Sequence, residues 1–302
     1  MLRPLVGRIA GLKTRLAQRK VRKHFEPTYR ARLETLKYAK DDPQHIEPQD
    51  HLQMMLRFAQ KERPQELYDL DSVSGRLTTA NFGSMHQTSI QATNMLLNIL
   101  GSNTEYNTIA ILRDEVARIM GTDEEWTKAK VSKMVKADSV ARETLRCQSF
   151  GGRTVFRKVM VDGVETDTGI ELPKGSLISF LSQPAHVDEA TYEEPLKYDP
   201  FRFSRVREAA TDSTKANMLS FVSTGPGYLP FGHGKHACPG RFLIDFELKM
   251  IIAYVLTNYD VKFLEEYGGR RPANQWLAEA MVPPNGVKIL VKRRKNQHHK
   301  SE

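Results

Sequence analysis

The part of this chain that most restricts its fold runs from residue 214 to residue 240. It is long, rich in glycine and proline, and ends in Phe231-Gly232-His233-Gly234-Lys235-His236-Ala237-Cys238-Pro239-Gly240-Arg241-Phe242. Loops of that length without regular structure are uncommon in compact domains, and they usually carry function or are disordered. Helical periodicity returns at Arg241 and runs to Leu256. Cys238 therefore stands between glycines, directly before a helix. Backbone N–H groups and the positive helix end favour a thiolate there. The glycines let the backbone wrap closely around a sulfur or a flat ligand. Lys235, His236 and Arg241 add positive charge beside it.

Two kinds of chemistry suit such a cysteine: nucleophilic attack, or ligation of a metal or heme by the thiolate. A zinc site from His233, His236 and Cys238 is cramped and lacks a fourth ligand. A phosphate-binding loop is excluded because Gly-x-x-x-x-Gly-Lys-Ser/Thr is absent. Composition narrows the field further. The chain has 302 residues, 40% of them hydrophobic and 27% charged, enough for a real core. Two cysteines exclude a disulfide framework, a ferredoxin cluster and a four-cysteine zinc site. No apolar window is long enough for a transmembrane helix, and Met1-Leu2-Arg3-Pro4 opens no signal peptide. The net charge of +9 is concentrated: residues 1–30 hold nine Lys or Arg against one Glu. Terminal basic stretches of this kind meet water or an acidic surface more readily than they read bases, so no nucleic-acid function is expected.

The pattern predicts helix over 5–36, with a break at Pro27, within a basic segment spanning 1–60. Leu5, Ile9, Leu12 and Leu16 lie three or four apart, as in a helix facing a partner or resting peripherally on a membrane. A loop over 39–50 and a short helix from Leu52 to Ala59 follow. One long helix is expected over 68–101, capped by Asp71 and ended by Gly101, although its centre is rich in poor helix formers. Helices are expected at 104–120 and 136–147, with a connector at 123–135 from which Lys128 and Lys130 face out. Short strands are expected between Arg153 and Phe180, an irregular stretch over 186–205, and a strand through Val287, Ile289 and Val291. A basic tail covers 292–302. The fold class is mainly α with small β-sheets.

Phe231, Gly234, Cys238 and Gly240 match Phe-x-x-Gly-x-x-x-Cys-x-Gly, so the loop resembles the cysteine-ligand loop of the cytochrome P450 family. Further matches fall in family order. Glu143 and Arg146 resemble its Glu-x-x-Arg pair. Pro200, Arg202 and Phe203 resemble the element whose arginine joins that pair. Residues 83–88 resemble the helix over the iron. The resemblance is to fungal secondary-metabolism members, and it implies a cytochrome P450 fold lacking its N-terminal part, as one incomplete domain over 1–302. It implies heme b with Cys238 as axial ligand, His236 and Arg153 near heme propionates (Arg157 being the rival of Arg153), and Phe231 shielding the thiolate. On the distal helix His86 replaces the usual acid and Gln87 the first threonine, which leaves Gln87, Thr88 and His86 as alternatives for proton delivery. Cys147 reads as a buried apolar cysteine, and Phe82 and Met85 as core or pocket wall. Phe150 to Val155 and Leu277 to Met281 would line the substrate.

The activity implied is monooxygenation of a small apolar substrate, with NADPH used indirectly through NADPH-cytochrome P450 reductase. Full-length relatives sit in the endoplasmic reticulum membrane; without an anchor this chain would be cytoplasmic or peripheral to membrane. The alternatives are a truncated, inactive fragment and a non-catalytic heme-binding protein. No Trp-x-x-x-Arg element is present for the propionates.

Overall fold

The computed structural model describes residues 3–38, 46–121 and 125–295. Residues 39–45 of the expected 39–50 loop, residues 122–124 of the connector and the tail beyond Lys295 lie outside the described residues. The chain divides into two compact units, Met1–His86 and Gln87–Glu302.

In the first unit the basic segment forms α1 (Arg3–Ala10) and α2 (Leu12–Tyr38). The break falls at Gly11, and α2 runs through Pro27. Pro27 lies on an exposed face, where water can serve the carbonyl left without a donor. Val6, Ile9, Leu12 and Leu16 are exposed. Asp50 caps α3 (His51–Glu62) by accepting the Gln53 N–H at 2.9 Å. Tyr29, Leu36, Leu52, Leu56, Leu67 and Val73 form a small core, and the Tyr29 hydroxyl donates to the Leu67 carbonyl at 2.6 Å. Next comes α4 (Leu70–Tyr106). Its cap is Asp69 and not Asp71: the Asp69 carboxylate accepts the Ser72 N–H at 3.0 Å, two residues earlier than the proline-free run indicated. Thr78, Thr79 and Ser84 hold their hydroxyls on carbonyls three or four residues back, which keeps these poor helix formers within the helix. Phe82 and Met85 are exposed, so they are not core residues of the unit.

The second unit holds the rest of α4, then α5 (Thr108–Met120), α6 (Lys128–Ser132) and α7 (Val135–Cys147). Gly101 does not end α4. A Cβ there would stand 2.8 Å from the Arg271 Cβ, so this glycine serves close packing, and the helix stops at left-handed Asn107. Lys130 turns inward to donate to the Met120 carbonyl at 3.0 Å. Two ribbons follow: β1 (Arg153–Lys158) pairs with β4 (Leu177–Leu181), and β2 (Val164–Glu165) with β3 (Glu171–Leu172), all antiparallel. Then come α8 (Ser182–His186), α9 (Arg202–Ala209), α10 (Ser213–Met218) and α11 (Arg241–Asn258). The chain closes with β5 (Tyr259–Phe263) paired to β8 (Ile289–Arg293), and β6 (Gln275–Leu277) paired to β7 (Ala280–Val282). The protein is thus mainly helical with small antiparallel sheets, as expected.

The core of this unit joins Met95 and Ile99 of α4, Leu112 of α5, Val140 of α7 and Leu248, Ile252 and Leu256 of α11. Each such side chain contributes about 1.5–3 kcal/mol on burial. Helix α11 packs on α5 and α7 through one side, while Phe242, Leu243, Ile251 and Tyr254 on it remain exposed.

Candidate active site

Helix α7 carries the polar centre of the second unit. Arg146 and Glu143 lie one turn apart and have no exposed side-chain surface. Arg146 donates through Nε and Nη2 to the two Glu143 oxygens, both at 2.8 Å, and through Nη1 to the carbonyls of His186 and Pro195 at 2.7 and 2.6 Å. Arg202, at the head of α9, adds its Nε to Glu143 at 3.2 Å, and the Asp199 N–H adds a fourth donor at 3.1 Å. The expected trio is therefore assembled. Burial works against the Arg146 charge, but the Glu143 carboxylate outweighs it and lifts the pKa above the ordinary arginine value. Cys147 is half-buried at the end of the same helix, and its surroundings are not apolar. Its sulfur accepts from Arg146 Nη2 at 3.2 Å and faces Glu143, and burial with that carboxylate pushes the thiol up to about 12.

A second buried network, which sequence reasoning missed, fixes α11 to α7. Lys249 forms ion pairs with Asp138 at 2.9 Å and with Asp245 at 2.6 Å, while Arg207 of α9 also pairs with Asp138. Asp138 further accepts the Phe221 N–H at 3.0 Å, which draws in the chain leading to the cysteine loop. Only the four-residue spacing of Asp245 and Lys249 hinted at part of this. Glu115 of α5 was missed as well: its carboxylate accepts the N–H groups of Lys136 and Ala137 at 2.7 and 2.9 Å, at the head of α7. Burial raises its pKa.

The loop itself is held mainly by backbone. The Cys238 N–H donates to the Phe231 carbonyl at 2.8 Å, closing an eight-residue turn in which Gly232 and Gly234 take left-handed φ of 69° and 70°. Phe231 is half-buried, edge-on to buried Phe221 at 5.2 Å between ring centroids. Cys238 is exposed at the head of α11. A Cβ on Gly240 would touch its sulfur at 3.8 Å, so the glycine keeps the sulfur's surroundings open. His233, Lys235 and His236 are exposed on the same loop. Arg241 donates to the carbonyls of Cys238 and Val222 at 2.8 and 3.1 Å, so its charge lies beside the loop but its donors are engaged. An exposed thiol, two left-handed glycines and a bare Cα beside the sulfur suit a flat ligand bound through sulfur.

The other expected residues are spread over three elements. On α4, Thr88 donates to Glu247 of α11 at 3.1 Å, Gln87 is half-buried, and exposed His86 holds Nδ1 3.2 Å from the Phe82 carbonyl. On β1, Val155 takes a left-handed φ of 54°, which a β-branched residue adopts only under strain. The extra residue shifts the register, so Arg153 opposes Leu181, Thr154 opposes Phe180, and Arg157 opposes Ile178. This bulge returns Arg157 to the side of Thr154 and leaves Arg153 on the other. The Thr154 hydroxyl lies 3.7 Å from where a Cβ of Gly232 would stand, so Thr154's side is the one that meets the cysteine loop. Arg153 instead pairs with Glu279, its Nε donating at 3.0 Å. The two segments expected to line the substrate are stitched together, Met281 N–H to Phe150 O at 2.7 Å and Gly152 N–H to Glu279 O at 3.0 Å.

The class these features define is a helical fold presenting a thiol at a helix head, backed by a buried Glu-x-x-Arg network. The family model for cytochrome P450 matches residues 2–291, and the chain belongs to the cytochrome P450 family. It is 55% identical to cytochrome P450 monooxygenase pbrC of Penicillium brasilianum, over 97% of this chain and 56% of that protein. It is similarly 54% identical to cytochrome P450 monooxygenase astC of Aspergillus terreus, over 97% and 56%. Cytochrome P450 monooxygenase tenB of Beauveria bassiana is 46% identical over 98% and 56%. The chain thus spans about half the length of the curated relatives it matches, 56% in these three. Among the described residues no helix is long and apolar enough to cross a membrane, and no group of three or more His, Cys, Asp or Glu is placed to hold a metal ion.

Proposed function

We propose that this chain is the heme-bearing part of a monooxygenase that inserts one atom of O2 into a C–H bond of a small apolar substrate, of the kind met in fungal secondary metabolism. The observation that carries the reading is the exposed Cys238 thiol at the head of α11, in a loop closed by its own backbone. Bound to that sulfur, heme supplies oxygen activation and C–H oxidation. The chain's own residues do the rest. Cys238 ligates as thiolate, favoured by the positive end of α11. Phe231 packs against the loop and limits water at the sulfur. His236 and Arg157 would hold the carboxylates of the heme edge; the bulge in β1 supports Arg157 over Arg153, whose charge Glu279 already holds. For proton delivery the geometry favours Thr88 over Gln87 and His86. Its hydroxyl proton rests on the Glu247 carboxylate, and a proton taken up there can return through Oγ1. Electrons would come from an NADPH-dependent reductase whose acidic face is attracted by the exposed Lys235 and by the basic N-terminal segment.

A second reading, heme binding without turnover, is favoured by the exposed apolar residues Phe242 and Leu243 beside the cysteine loop. Heme titration of the purified chain, a reduced carbon-monoxide difference spectrum and a turnover assay with reductase separate the two. A thiolate-type spectrum that Cys238→Ser abolishes, with turnover, supports monooxygenation; the spectrum without turnover supports the second reading. Absence of heme uptake sinks both. In the same titration Arg157→Ala weakens heme binding more than Arg153→Ala, and the reverse order would return the carboxylate role to Arg153. Charge reversal at Lys235 slows electron transfer, and an unchanged rate would remove this face as the docking surface.

A further inference from the structure

We propose that His186 is the positioning residue that ties the buried Glu143–Arg146 network to the cysteine loop. His186 ends α8 and has no exposed surface. It is gripped at both ends. Its carbonyl accepts Arg146 Nη1 at 2.7 Å, and its ring Nε2 accepts the Leu229 N–H at 2.8 Å. Leu229 stands two residues before Phe231, whose carbonyl accepts the Cys238 N–H at 2.8 Å. A continuous path therefore runs from the Glu143 carboxylate through Arg146, His186, Leu229 and Phe231 to Cys238. The acceptor role at Nε2 places the ring proton on Nδ1, a buried atom with no hydrogen-bond partner among the described residues. The ring's one polar contact is thus an acceptor for a loop amide, which an apolar side chain of similar size would not supply. Burial, then the charges of Arg146 and Arg142, keeps this imidazole neutral. The Tyr228 ring packs beside it at 5.8 Å between centroids. The inference rests on reading Cys238 as the working residue of the loop, but the coupling itself belongs to the heme-free chain.

The test uses the purified full chain without heme. His186→Leu removes the acceptor, and His186→Gln keeps one near the position of Nε2. Amide exchange at Leu229 and at Cys238, whose N–H is held by the Phe231 carbonyl, is read for both. For His186→Leu, both rates rise roughly tenfold, the loss expected for one buried acceptor, while the amides of Ile252 and Ala253 in α11 stay protected. The Gln variant restores both rates to within about twofold of the parent. The proposal is overturned if His186→Leu leaves both rates unchanged, or if His186→Gln is as fast as His186→Leu. Should His186→Leu lose protection in α11 as well, the Gln variant decides alone: slow rates uphold the coupling and fast rates overturn it. Failure of the parent chain to take up heme counts against the proposed function and leaves these readouts intact.

Discussion

Glu143 and Cys238 are held in opposite ways. Glu143 has no exposed side-chain surface, and its carboxylate receives donors from Arg146, Arg202 and the Asp199 amide. Cys238 is exposed, and the loop around it is held by backbone hydrogen bonds, among them Cys238 N–H to Phe231 O and Ala237 N–H to Gly234 O, with two left-handed glycines. The network is over-determined and the loop is not. The loop's position is inherited from behind, through Phe221 on Asp138 and Leu229 on His186. A thiol can therefore stay exposed while the residues that place it are fully packed, because rigidity and exposure are assigned to different parts of the chain.

The sharpest way to break this contrast is Glu143→Ala. It leaves two arginines without their carboxylate, one of them fully buried, and should cost about 3–5 kcal/mol in a denaturant melt. A loss near zero would mean the network is dispensable and the contrast empty. Acid is the next probe. Burial holds the His186 pKa down at about 4 against an ordinary 6.5. A neutral histidine with a depressed pKa contributes stability fully above pH 6.5, and this is lost as the pH falls from there towards 4. The loss is on the order of 3 kcal/mol, and His186→Gln flattens that part of the pH–stability profile. An unchanged profile in the variant would assign the acid loss to other groups. Asp138→Asn should cost less, about 2 kcal/mol, since Lys249 keeps Asp245 as a partner. Its mark is faster amide exchange at Phe221, and an unaltered Phe221 would detach Asp138 from the loop. The smallest effect belongs to the exposed pair. Glu279→Gln should leave the melt unchanged, because an exposed ion pair is screened by water, and should only loosen the β6–β7 hairpin, seen as faster exchange at Met281. A clear drop in melting temperature would show that the hairpin matters to the core.

The legible parts of the site were local. The place of Cys238, in a glycine turn before a helix, could be read because both features occupy a short window. Glu143 and Arg146 could be found because three residues on a helix bring side chains onto one face. The misplaced details share a cause: their physics lies outside the window. Gly101 looks like a helix end until Arg271, far along the chain, packs on it. Pro27 signals a break because it lacks a donor and crowds the carbonyl four residues back, yet α2 runs through it on a face open to water. Cys147 looks like an apolar core residue until two ionised neighbours appear beside it. Arg153 and Arg157 look equivalent because a regular strand would put them on the same face, and the bulge at Val155 removes that equivalence.

By itself the sequence determined the helical frame, the thiol at the head of α11 and the paired charges on α7. These follow from residue spacing and backbone preference. Tertiary structure alone decided which buried charges meet, that His186 accepts from Leu229, and which face of β1 turns to the cysteine loop. Those outcomes depend on partners forty to more than a hundred residues apart in some cases, such as Asp138 with Lys249, and no local preference encodes them. Desolvation makes the unpaired alternatives costly, so the fold is selected in which each such charge finds its partner.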